Sequence, residues 1–147
     1  MVPKVWWWMA IAGLLIAASL PVLRKLTNRD NQSQCVVDGQ TIDPLFRVRL
    51  ISANGVENEC CCLRCAELWF ENTRPTPEQI FVTDEASGEP LDATNAYYVY
   101  SDVFSNAPNR DRRHVFRVRE DAEAHLATFR GRMLIGSKRP FTTSQMD

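Results

Sequence analysis

Histidine is nearly missing from this sequence: His114 and His125 are the only two. No Ser-His-Asp order can be assembled around them. There is no glycine-rich loop to cradle a phosphate and no carboxylate pair in a catalytic setting, so the chain reads as a binding protein and not as an enzyme. A basic face is missing too. Residues 1–30 carry Lys4, Arg24, Lys25 and Arg29 against Asp30, while residues 31–147 carry 13 basic and 17 acidic side chains, a net charge of −4. An acidic domain excludes nucleic acid as a partner, because the phosphate backbone requires a basic footprint. The one long uncharged run is at the start. Val5 to Leu23 is 19 residues without a charge, long enough to cross a bilayer as a helix.

That run opens with Trp6, Trp7 and Trp8, suited to an interfacial belt, and ends at Arg24 and Lys25. It reads as a retained membrane anchor, with a cleaved signal peptide as the alternative, since Ala17-Ala18-Ser19 offers small residues near its end. The positive-inside rule applied to the flanking charges leans towards a cytoplasmic domain. Thr27 to Gln34 is a polar linker. The expected organisation is therefore an anchor or signal segment at 1–26, a linker at 27–34, one domain at 35–136 and a polar tail at 137–147. The length suits a single domain.

What the sequence has in excess is cysteine in one place. Of five cysteines, four fall within Cys60-Cys61-Cys62-Leu63-Arg64-Cys65, and the fifth, Cys35, precedes a turn containing Asp38-Gly39. Cys62 and Cys65 have the C-x-x-C spacing that lets two thiolates reach one metal ion or each other. Cys61 and Cys65 are four apart and share a helix face. The following Ala66 to Glu71 reads as helix, which places the cluster at a helix N-terminus, where the macrodipole favours thiolate over thiol. Structural disulfides fit an odd number and adjacent cysteines poorly. Apolar filler explains one cysteine but not four, and palmitoylation would place them next to the membrane segment. Metal binding, thiol-redox work by Cys62 and Cys65, and a structural zinc site of Cys35, Asp38, Cys62 and Cys65 remain open.

Periodicity predicts a small α+β domain of two successive β-β-α-β units. Phe46–Ile51 alternates apolar and basic residues, a half-buried strand. Asn54-Gly55 is a hairpin signal, and 56–60 returns the chain to the cysteines. A helix spans about 62–72, and 79–83 is a strand. The second unit follows as strands at 96–100 and 114–118, a helix at 120–130 closed by Gly131, and a strand at 132–135. Leu91 sits in a segment too short to assign. The polar 101–113 connection, with Arg110, Arg112 and Arg113, reads as a solvated loop able to dock an acidic partner. His125 reads as solvated helix surface, and His114 as a strand edge or a neighbour of the cysteines.

Several stretches carry a family resemblance in a consistent order: Phe81-Val82-Thr83-Asp84, Gly88-Glu89-Pro90-Leu91-Asp92-Ala93, Ala96-Tyr97-Tyr98-Val99, Asp121-Ala122-Glu123-Ala124 and Gly131-Arg132-Met133-Leu134. Together they resemble the NosL family of copper-binding accessory lipoproteins of nitrous oxide reductase maturation. The cysteine stretch is similar to the family's paired motifs, a pattern shared with small YHS/TRASH-type metal modules, with Cys35, Cys61 and Cys65 at matching positions. The chain departs from the family in four ways. Asp38 stands where many members have Cys, and Gln40 where a Met thioether would be. Cys60 and Cys62 replace an aromatic and a Ser, and no lipobox cysteine is present. The resemblance implies a Cu(I) metallochaperone or accessory protein, with zinc as the other candidate metal. It also implies an extracytoplasmic (periplasmic) domain tethered through residues 5–23, and a copper-receiving partner. The expected ligands are Cys35, Cys61, Cys62 and Cys65, with Asp38 as a further donor; exposed thiols of this kind would contribute little to packing.

Overall fold

The computed structural model describes residues 33–73 and 77–141. The anchor expected over 5–23, most of the linker and the end of the tail lie outside these residues. Among the described residues no helix is long and apolar enough to cross a membrane. They form a small α+β domain of two antiparallel sheets and two helices. The first sheet has the order β2-β1-β3-β4, from β1 (Val48–Ile51), β2 (Glu57–Cys60), β3 (Gln79–Thr83) and β4 (Pro90–Asp92). The second has the order β6-β5-β7, from β5 (Tyr97–Ser101), β6 (Arg113–Phe116) and β7 (Gly131–Leu134). Helix α1 (Leu63–Asn72) lies between β2 and β3 in the chain, and α2 (Arg119–Phe129) between β6 and β7. Both halves run strand, strand, helix, strand, and β4 is an addition to the first.

Local sequence explains most of this. In β1, Val48 and Leu50 point into the core, and the intervening Arg49 pairs through both guanidinium branches with Glu57. Arg47 likewise faces Glu59 at 3.4 Å. This is the half-buried strand that the alternation predicts, with charge pairs across its outer face. The β1–β2 turn closes through Gly55 N–H to Ser52 C=O (2.8 Å) and Val56 N–H to Asn54 Oδ1 (3.1 Å), with Gly55 at φ +77°. Such a φ favours glycine. In β5 successive residues serve different cores. Tyr98 packs with Leu50, Val82 and Val115, and its hydroxyl donates to Ala93 C=O at 2.8 Å. Val99, on the other face, packs with Phe116 and Ala122 under α2. Each fully buried side chain of this size contributes about 1.5–3 kcal/mol.

One boundary agrees with expectation and one differs. Helix α2 closes on two residues of positive φ, Arg130 at +57° and then Gly131 at +125°. Gly131 has a second requirement: a Cβ there would lie 2.0 Å from Tyr100 C=O. The polar tail expected from residue 137 is docked against the domain as far as Phe141. Arg139 donates to Thr94 C=O (2.9 Å) and Ala96 C=O (3.0 Å), and Phe141 packs against the main core. An aromatic ring and an arginine with two carbonyl acceptors outweigh the polar composition around them.

Candidate metal centre

The site begins at the turn after Cys35. Cys35 N–H donates to Gln40 C=O, Gly39 N–H donates to Cys35 C=O, and Asp38 Oδ1 accepts from Gln40 N–H at 3.1 Å. Val36 N–H then bonds Glu59 C=O at 2.9 Å, fastening the turn to the end of β2. From there the chain runs Cys60, Cys61, Cys62 into α1. Cys62 is the N-cap, its Sγ accepting from Cys65 N–H at 3.5 Å. The first turn of α1 returns Cys65 over Cys61, as a four-residue spacing predicts.

Cys35, Asp38, Cys61 and Cys65 come together: their donor atoms all lie within 4.8 Å of one another. Cys61 Sγ is 3.6 Å from Cys65 Sγ, and the two thiols approach Asp38 Oδ2 at 3.6 and 3.4 Å. Metal–thiolate bonds of about 2.3 Å allow paired sulfurs to stand up to about 4.6 Å apart, so a small closure suffices for one ion. Cys62 Sγ is 4.0 Å from Cys61 Sγ but falls outside the four-donor group, because its sulfur serves as the helix cap. Cys60 also stands outside it. All five cysteines are free.

The thiols are not exposed, contrary to expectation. Cys35, Cys61, Cys62 and Cys65 are 3, 0, 1 and 2% exposed, so they belong to the packed core as well as to the site. Burial dominates the protonation of Cys61, Cys62 and Cys65. It pushes the Cys61 and Cys65 thiols up, with neighbouring thiols adding to the effect. It also raises Cys62, against the pull of the Cys65 N–H. The helix N-terminus is present but loses to desolvation. Asp38 behaves oppositely. Burial works to raise its carboxyl, but hydrogen bonds from Asn109, Gln40 N–H and the Cys35 and Cys65 thiols outweigh it and hold the group at about 2. In the metal-free site the Asp38 carboxylate thus sits beside the protonated thiols of Cys61 and Cys65.

The 101–113 connection, expected as a solvated loop, covers them instead. Between β5 and β6, Asn109 Nδ2 donates to Asp38 Oδ2 at 2.9 Å and reaches Cys61 Sγ at 3.2 Å. Asn106 Nδ2 donates to Cys61 C=O at 3.3 Å, and Asp111 Oδ2 accepts the free Arg64 N–H at the start of α1 at 2.8 Å. Arg113, expected in a solvated loop, opens β6 and is mostly buried, bridging Asp111 and Glu67. The histidines lie elsewhere. His114 Nδ1 pairs with Glu85 at 2.7 Å, His125 bonds Ser101 Oγ at 3.1 Å, and their rings pack at a tilt of 41° with centroids 4.3 Å apart. His125 is therefore a packed residue and not solvated surface. Neither histidine is in the four-donor group.

No family model matches the sequence, and no curated protein does. Among solved structures, the crystal structure of the copper chaperone NosL from Shewanella denitrificans is similar, with a TM-score of 0.59 and 18% sequence identity. The match covers 69% of this chain and 84% of that one. The likeness drawn from the sequence motifs therefore holds at the level of the fold.

Proposed function

We propose that this NosL-like fold binds copper as Cu(I), through Cys35, Cys61 and Cys65 with Asp38 beside them, and passes it to another protein. The observation that carries the reading is the convergence of three thiols and one carboxylate within 4.8 Å. Thiolates are soft donors and select Cu(I) over hard cations. The similar fold of a copper chaperone supports copper over zinc. Zinc would use the same three sulfurs and the carboxylate as a closed tetrahedron. A three-sulfur site can exchange, because an incoming thiol adds before one of the resident thiolates departs. Cys62 caps the helix under the site and keeps Cys65 in register. The thiol-redox alternative requires an accessible thiol of lowered pKa, and burial has the opposite effect on Cys62 and Cys65.

The uncharged run at 5–23 supports a membrane tether. We place the domain outside the cytoplasm, in the periplasm, and take the recipient to be a copper-accepting protein there. A reporter active only outside the cytoplasm, fused after Asp147, should be active while the protein stays in the membrane fraction after a salt wash. For the metal, reduced protein in mild detergent should hold one equivalent of Cu(I) against a chromogenic chelator and prefer it strongly to Zn(II). Loss of all copper to a weak chelator would end the proposal.

A further inference from the structure

One side-chain nitrogen meets four acceptors at the cluster. Asn109 Nδ2 lies 2.9 Å from Asp38 Oδ2, 3.2 Å from Cys61 Sγ, 3.4 Å from Cys65 Sγ and 3.7 Å from Cys62 Sγ. A carboxamide has only two hydrogens to give. It is therefore shared over the cluster and not committed to one partner. The lone pairs it engages on Asp38, Cys61 and Cys65 are the ones a metal ion needs, so amide and metal compete for them.

The loop carrying Asn109 has a fixed base and a short tip. Asn106 and Asp111 pair as an antiparallel bridge, N–H to C=O at 3.4 and 3.0 Å, which leaves 107–110 as the tip. Asp111 ties the base to α1 through Arg64 N–H. The tip is held by lighter contacts: Asn109 N–H to Asn106 Oδ1 at 3.0 Å, and Arg64 Nη1 to Asn109 C=O at 3.4 Å. Asp38 is exposed and Asn109 half-buried, whereas Cys61 and Cys65 behind them are buried.

We propose that Asn109 is the gate of the thiol cluster. Its carboxamide covers the face through which a metal ion or an incoming thiol reaches Cys61 and Cys65, and it swings aside, on the anchored Asn106–Asp111 base, for either to pass. What passes the gate rests on the copper reading. The covering of the thiols belongs to the metal-free protein and is tested there.

The test is the labelling rate of each cysteine by N-ethylmaleimide in the reduced, metal-free full-length protein in mild detergent, resolved by fragment-ion mass spectrometry. Replacing Asn109 by alanine removes the amide and its bond to the Asp38 carboxylate. Cys61 and Cys65 should then label about tenfold faster or more, the effect of deleting a charge-assisted hydrogen bond that holds a local opening closed. Cys60 is the internal reference, because it is fully buried and is not among the hydrogen-bond partners of the Asn109 amide. Its rate should not change. Asn109→Asp keeps the size of the side chain but exchanges the donor for a charge that Asp38 repels. It should open the gate as Asn109→Ala does and serves if the alanine variant does not fold. Wild-type labelling of Cys61 and Cys65 in the folded variant overturns the proposal. So does an acceleration shared by Cys60, which marks general loosening. No metal enters this assay, so its failure leaves the copper reading standing, and a protein that held no copper would leave the gate standing.

Discussion

Proton release on copper binding tests the site's composition more sharply than affinity alone. Burial holds the Cys61 and Cys65 thiols protonated near neutral pH, whereas Asp38 is already a carboxylate, held at about 2. A metal ion that binds both thiols must displace both protons. Asp38 contributes none above pH 4. Affinity therefore rises with pH below the pKa values of these two thiols, by about 100-fold per pH unit for two protons. The assay is competition at pH 6, 7 and 8 against a Cu(I) chelator whose own protonation lies outside that range, with proton release followed in parallel in a weakly buffered solution. A slope of at least about two protons per ion is expected. A slope of one or less would mean that the ion sits on Asp38 and a single sulfur, and the three-thiolate site would be wrong.

Four further outcomes follow from the structure. Cys35→Ser, Cys61→Ser and Cys65→Ser should each weaken Cu(I) binding by about 100-fold or more, while Cys62→Ser, which keeps a helix-capping oxygen, should stay within about tenfold; chelator competition reads both. Because the thiols are buried, the same serine variants should also unfold at lower denaturant concentration, by about 1–3 kcal/mol each. Gly131→Ala should destabilise the domain by about 3 kcal/mol or more, since its Cβ would meet the Tyr100 carbonyl at 2.0 Å with the backbone at φ +125°; urea unfolding measures this. His125 is depressed from 6.5 to about 4, by burial and then by the charge of His114. Between those values the unfolded chain binds the extra proton, so stability is lost as pH falls through the window. His125→Gln should flatten that loss in thermal melts at pH 4–7.

The parts of this domain visible in the sequence are those set by neighbours along the chain. Val48 and Leu50 alternate with Arg47 and Arg49 because a strand has a period of two, and the arginines find Glu57 and Glu59 across a hairpin turned by Asn54-Gly55. Cys61 and Cys65 meet because four residues make about one helical turn. The parts that stayed hidden depend on long separations. Asn109 reaches Asp38 across 71 residues, and Asp111 reaches Arg64 N–H across 47. Nothing in a polar loop tells which asparagine meets a distant cluster. The same loop explains the misjudged thiols. A helix N-terminus lowers a thiol pKa when water or a cation can share the charge, and here the loop shuts water out, so desolvation prevails.

The two β-β-α-β halves share an order but divide the work. In the first, the strand-to-helix junction is Cys61-Cys62, and the helix is capped by a sulfur. In the second, the matching junction is Arg117-Val118, and Val118 gives α2 no side-chain cap. That half holds no donor of the site. Its contribution is the β5–β6 connection, which is a short hairpin link in the first half and here a loop running from Asp102 to Arg112. The extra length carries Asn106, Asn109 and Asp111 across to the cysteines of the first half. A repeat in which one half supplies soft donors and the other supplies their cover has a mechanical consequence. The covering residue can move on its loop without disturbing the strands that position the thiols, so access to the site and the geometry of the site are set by different parts of the chain.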